Sequence, residues 1–251
     1  MELPAESQDK LQEFCNEIYL EFNHLSDYIW KFNLQIDELR TIELEKLESY
    51  FPNDPEMQAA RWHNESQKLD YFFPVALNYS FIVLVFITIE ARLMKACDLI
   101  TEFKGLPIRA KDMAGNGFER YMSFLTKMAG VSREKLTIWN QISKFSIIRN
   151  CIVHTSGFIE FSNDEKAIRS IIQDRSYFSS EHSEHKVSIE KYEKENNVSI
   201  RPVRIEKTDN GERLIIEIDY SHNICFYGRD FLMQVLKETG LPYVQQFASS
   251  K

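Results

Sequence analysis

The 251-residue chain reads as mainly α, an antiparallel helical bundle carrying a small β-hairpin or sheet insertion near residues 203–227. Leu11, Cys15, Ile18, Phe22, Leu25, Ile29, Phe32, Ile36 and Leu39 alternate at intervals of four and three, one face of a long helix. Tyr71–Ile89 is an apolar run of 19 residues without a charge, long enough for a second helix through the core. V-R-I-E-K-T and E-R-L-I-I-E-I-D alternate on either side of D-N-G, the pattern of a hairpin closed by a tight turn.

In chain order, the first helix spans the heptad pattern with charges on its flanks and ends at F-P-N-D-P, residues 51–55. Its seam fits packing along its own domain or pairing with a second chain. The second helix is expected from near Glu56, kinked or restarted at Pro74, to about Phe103, where K-G-L-P breaks it. Tyr71–Ile89 approaches the length of a membrane span, but Pro74, Asn78, Ser80 and Thr88 interrupt it and Glu90 and Arg92 follow, so a core helix is the reading. After a loop over 105–117 the spacing predicts a short helix at 118–128. A further helix follows, capped by Ser132 and stopped by Gly157. Residues 161–200 are polar, with a helical piece near Ala167–Ile172. Beyond the hairpin, Ile224–Tyr227 reads as a third strand and Arg229–Glu238 as a closing helix. The organisation expected is a helical core at 1–160, a polar linker with the hairpin at 161–228, and a closing helix and tail at 229–251.

With 38 acidic and 30 basic residues the net charge is −8, so any nucleic-acid binding must come from a local patch. Cys15, Cys97, Cys151 and Cys225 are scattered and form no C-x-x-C pair, as expected of reduced thiols in a cytoplasmic protein. The start, M-E-L-P-A-E-S-Q-D-K, has no basic region followed by an apolar one, so no signal peptide is expected. His182 and His185 stand in a polar stretch and read as solvated. No metal site or cofactor is expected.

Residues 147–157, I-I-R-N-C-I-V-H-T-S-G, set a permanent cation among isoleucines. At ~100° per residue Arg149 lies within roughly 40° of Ile138, Ile142, Phe145 and Val153, so it is not on a solvated face. A guanidinium there needs an anion. Glu90, within the second helix, is one source, which would make Arg149 structural. A substrate phosphate is the other.

R-N-x-x-x-H at a helix end, after a long antiparallel helix pair whose apolar member Y-S-F-I-V-L-V-F-I-T-I-E ends in Glu90, resembles the signature of HEPN domains. The resemblance covers roughly residues 10–160 and leaves the hairpin region as an insertion. It implies a metal-independent endoribonuclease of the toxin or abortive-infection (antiphage) kind, working as a homodimer with two motifs across a shared cleft. An antitoxin or defence-system protein is implied as partner. Some relatives lack catalysis, so a helical scaffold that dimerises or docks a partner is the alternative. HEPN toxins paired with nucleotidyltransferases have a Tyr two residues after the His. Ser156 stands there, so the regulation that depends on that Tyr does not carry over.

The residue types suit the chemistry. RNA supplies its own nucleophile, the 2′-OH beside the scissile phosphate, so an acid or base and a cation suffice. His154 is the candidate acid–base group, Arg149 the phosphate clamp, and Asn150, one turn before His154, the group that orients either. Arg149 and His154 are about 140° apart on an ideal helix, which is why a second motif would be needed to complete one site. Lys144 and Arg120, with Lys127 and Arg133 behind them, are candidate RNA-backbone contacts. Tyr79, Trp139 and Phe145 read as core.

Overall fold

The computed structural model describes residues 5–115, 117–177, 191, 194–196 and 201–241; His182, His185 and the tail beyond 241 lie outside the described residues. Two long antiparallel rods dominate the fold. Helix α1 (Ala5–Tyr50) has 46 residues, roughly 70 Å at a rise of ~1.5 Å each. Asp54 caps α2 (Pro55–Ser66) by accepting the Met57 N–H at 3.0 Å, and Pro55 fills the first turn, where no donor is needed. A π-helical turn (Gln67–Phe72) then leads directly into α3 (Phe73–Lys104). Pro74 therefore does not break the rod, because the wider turn ahead of it absorbs the missing N–H and the bulk of its ring. Gly105, left-handed at φ 60°, ends α3.

One face of the charge-free run of α3 is core, with Phe81, Ile82, Val85, Phe86 and Ile89 almost fully buried, and Leu93 continues it. By length and composition the Pro55–Lys104 helix could cross a membrane, and half of its apolar window is buried inside this fold. The last helix among the described residues, α7 (Ile218–Glu238), packs on both rods. Gly228 makes that approach possible, since a Cβ there would stand 2.7 Å from Phe22 and 2.8 Å from Ile89. The heptad face is thus buried within the chain at Leu11, Cys15, Ile18, Phe22 and Ile29, and emerges at Phe32 and Leu39, each 43% exposed. Ile36 and Leu69 are the last residues the rods bury along this end. From 37 to 68 none is buried, so α1 and α2 project as a two-helix arm.

Two expectations are corrected. Ile224–Tyr227 is not a strand but the middle of α7, which begins at Ile218 rather than near Arg229. Tyr220, Ile224, Tyr227 and Phe231 recur at four, three and four residues and are all buried, so the aromatic and β-branched composition serves a helix face. Ser132 does not cap the motif helix. It precedes a 3-10 turn (Arg133–Lys135), and α5 (Trp139–Thr155) starts only where Trp139 stacks on Phe118, with ring centroids 5.8 Å apart.

Between these lie α4 (Gly117–Lys127), α6 (Glu165–Gln173) and the antiparallel pair β1 (Val203–Thr208) and β2 (Gly211–Ile216). The register runs from Val203 opposite Ile216 to Thr208 opposite Gly211, around the Asp209–Asn210 turn. The fold is therefore mainly helical with one small hairpin. Leu214, Ile215 and Ile216 of β2 join the same core as the helices, and β2 reaches α3 and the turn after α5.

Candidate functional site

Phe86 and Glu90 are one turn apart on α3 and present one face to α5. The Arg149 guanidinium lies over the Phe86 ring, 3.9 Å from Cζ to the centroid. Its Nη2 is 3.7 Å from Glu90 Oε2, and its Nη1 donates to Asn150 Oδ1 at 2.9 Å. The other Glu90 oxygen, Oε1, accepts the Phe118 N–H at 2.9 Å, one of the donors left open in the first turn of α4. Gly117 permits this, because a Cβ there would stand 2.7 Å from Oε1 and its φ is 46°. The Arg149 and Glu90 side chains are 21% and 26% exposed, so the pair sits at the rim of the core rather than inside it. Burial pulls the Arg149 pKa below its usual value and Glu90 acts against that.

His154 is exposed in the last turn of α5, and Asn150 is half-buried one turn earlier. Among the described residues no hydrogen bond or ion pair joins His154 to Arg149, Asn150 or Glu90. The chain thus gathers Arg149, Asn150 and Glu90 and leaves the imidazole facing outward. Ser156 closes the helix in the left-handed conformation, φ 53°, and Gly157 follows at φ 82°.

Lys127 is exposed, and three of the other cations are engaged elsewhere. Lys144 donates to the Ser176 carbonyl at 3.0 Å, and burial lowers its pKa. Arg120 donates to the Gly115 carbonyl at 2.8 Å. Arg133 lies 4.8 Å over the Trp139 ring and pairs with Glu119 at 3.6 Å. Tyr79 and Phe145 are core, as expected, and Trp139 is half-buried. Among the described residues no three His, Cys, Asp or Glu side chains gather as a metal site.

Two parts of the site went unread in the sequence. Phe86 as a platform for Arg149 was recoverable, since it stands four residues before Glu90 on the same helix. The other part is a stripe on α3. Phe73, Leu77, Ser80, Leu84, Ile87, Ala91 and Met94 alternate at four and three, and this face is left uncovered between α1 and α5. Leu84, Ile87 and Met94 are 42%, 55% and 48% exposed. Glu90 and Arg149 mark the edge where the stripe meets α5, and Val153, one turn beyond Arg149 on α5, is 47% exposed. An open groove of about 510 Å³ with Leu20, Tyr28 and Leu84 among its walls continues the face onto α1.

Comparison with known proteins gives no counterpart: no family model, no curated protein and no solved structure matches this chain.

Proposed function

We propose that the chain is a cytoplasmic, metal-independent endoribonuclease of the HEPN type, acting as a toxin or antiphage effector at a site completed by a second copy of itself. One observation carries the reading. Arg149, bonded to Asn150, stands where α5 meets the exposed apolar stripe of α3, and His154 is exposed one turn beyond Asn150 on the same helix, which is the setting a twofold site needs. Three helices side by side at ~10 Å spacing over ~30 Å present on the order of 800 Å², the area one partner contributes to a standard interface.

In this mechanism one His154 imidazole takes the proton of the 2′-OH. The 2′-oxygen bonds to phosphorus, the bond from phosphorus to the 5′-oxygen breaks, and the second copy's protonated His154 gives that oxygen its proton. Arg149 holds the phosphoryl oxygens, with its plane fixed by Phe86 and Asn150. The products are a 2′,3′-cyclic phosphate and a 5′-OH.

The test is incubation of the purified protein and of His154→Ala with single-stranded RNA in a chelator. Wild-type protein should yield cyclic-phosphate ends, and His154→Ala should lose about 10²–10⁴-fold in rate. Cleavage that depends on added Mg²⁺ or Mn²⁺, or that survives His154→Ala, overturns the proposal. The uncovered stripe also suits a second reading, a non-catalytic scaffold that docks a partner, and inert wild-type protein would favour it.

A further inference from the structure

The end of a helix frays unless something holds it, and His154 stands in the last turn of α5. The turn behind it is held from three directions. Within the chain's own turn, the Gly157 N–H donates to the Cys151 carbonyl at 3.2 Å and the Thr155 hydroxyl to the same oxygen at 2.7 Å. From the hairpin, the Leu214 N–H donates to the Gly157 carbonyl at 2.8 Å, and Phe158 forms a bridge with Arg213. From α3, the Tyr79 hydroxyl donates to the Leu214 carbonyl, so one residue of β2 is held through both its N–H and its C=O. The Arg213 guanidinium lies between two rings, 5.3 Å from the centroid of Tyr79 and 5.5 Å from that of Phe158. Gly157 fits because it has no side chain: a Cβ would stand 1.9 Å from the Tyr79 hydroxyl oxygen.

We infer that Tyr79 and Arg213 are positioning residues for His154, clamping the Gly157 turn through Leu214 and Phe158 and so making the β-hairpin part of the support of the site. This rests on the nuclease reading for its consequence in catalysis, but not for its geometry. Burial pushes the Tyr79 pKa up to about 12, so its hydroxyl remains a donor throughout the working range. A group doing acid–base work must stay within about 0.5 Å of its productive place, which a free helix end does not provide.

The test uses the full chain and three variants. Tyr79→Phe removes only the hydroxyl and keeps the ring. Arg213→Lys keeps the charge and removes the planar group between the rings. Arg169→Gln is the control: it breaks the Arg169–Glu165 and Arg169–Glu212 pairs on the outer side of the hairpin and leaves the clamp alone. RNA cleavage gives kcat and KM, and proton–carbon NMR of the His154 ring reports its surroundings whether or not RNA is cut.

Tyr79→Phe and Arg213→Lys should each lower kcat about tenfold with KM unchanged and shift or broaden the His154 resonances, while Arg169→Gln alters neither. Wild-type kcat and unchanged His154 resonances in both clamp variants overturn the inference while the nuclease reading stands. If the wild-type protein does not cleave RNA, the resonances decide alone: displacement upholds the clamp and its absence removes it. A clamp variant that fails to fold is set aside and the other decides.

Discussion

Glu90 divides its carboxylate between two partners, one oxygen on the Phe118 N–H at 2.9 Å and the other 3.7 Å from Arg149. That division sets how the pair responds to substitution. Removing Arg149 does not strand Glu90, which keeps its hydrogen bond from α4 and some water. Arg149→Ala should therefore cost about 1–2 kcal/mol, mainly its contact with Phe86, well below the ~3–5 kcal/mol of a broken buried pair. Glu90→Ala removes the acceptor of the Phe118 N–H and the anion beside Arg149, which keeps only Asn150 and Phe86, and should cost more than Arg149→Ala. Urea denaturation of both variants measures this. A loss of ~4 kcal/mol in Arg149→Ala would make the arginine a structural residue.

Dimerisation is expected to depend on the stripe of α3. Ile87→Lys replaces a side chain already 55% exposed, so the melting temperature of the monomer should change little. In sedimentation the variant should run as a monomer where the wild type runs as a dimer, and cleavage should fall with it. A wild-type monomer that cuts RNA at micromolar concentration would end the composite site.

Gly228 is expected to resist any side chain. Gly228→Ala pushes a methyl group into Phe22 and Ile89 at the junction of α1, α3 and α7, where overpacking costs about 1–3 kcal/mol. Thermal unfolding reads this directly, and a neutral substitution would mean the junction has room that these distances deny.

Stability should decline at high pH. Burial pushes the Cys15 thiol up to about 11, and Cys97 and Cys225 up to about 12, from the usual value near 9. Between about pH 9 and pH 12 the unfolded chain releases these protons while the native chain retains them, so the native state is intact below that window and weakens through it. Urea midpoints at pH 8, 9, 10 and 11 should fall in that order. Iodoacetamide at pH 8 should leave these three thiols unmodified until the chain unfolds. A flat profile would contradict the burial.

What the sequence revealed and what it withheld follow from how local each signal is. The two rods, the break at Gly105 and the hairpin were legible because periodicity and turn residues lie within a few positions of one another. The Arg149–Glu90 pairing was legible as an expectation because a cation on an apolar face demands an anion. The owner of the heptad face was not legible, because its cover, α7, comes some two hundred residues later in the chain. For the same reason Ile224–Tyr227 passed for a strand: four apolar residues fit either period, and only the rods on two sides decide. Tyr79 was readable as core and no more, since its partners Arg213 and Leu214 stand on a hairpin whose docking no local pattern announces.

The π-helical turn at Gln67–Phe72 has a bearing on how the arm is aimed. A π turn accommodates one residue beyond the α-helical count, so it works as a phase shift within an otherwise continuous rod of 50 residues. Upstream of it, the side chains turned toward α1 are counted from one origin, and downstream they are counted from another, offset by about 100°. Losing a single residue there would leave the core helix α3 in place and rotate the whole of α2 about its own axis. The half-buried Gln58 and Trp62 of α2 would be carried round with it, and residues now in solvent would take their place. The azimuth of the arm is thus encoded in the length of one turn rather than in the identity of any side chain.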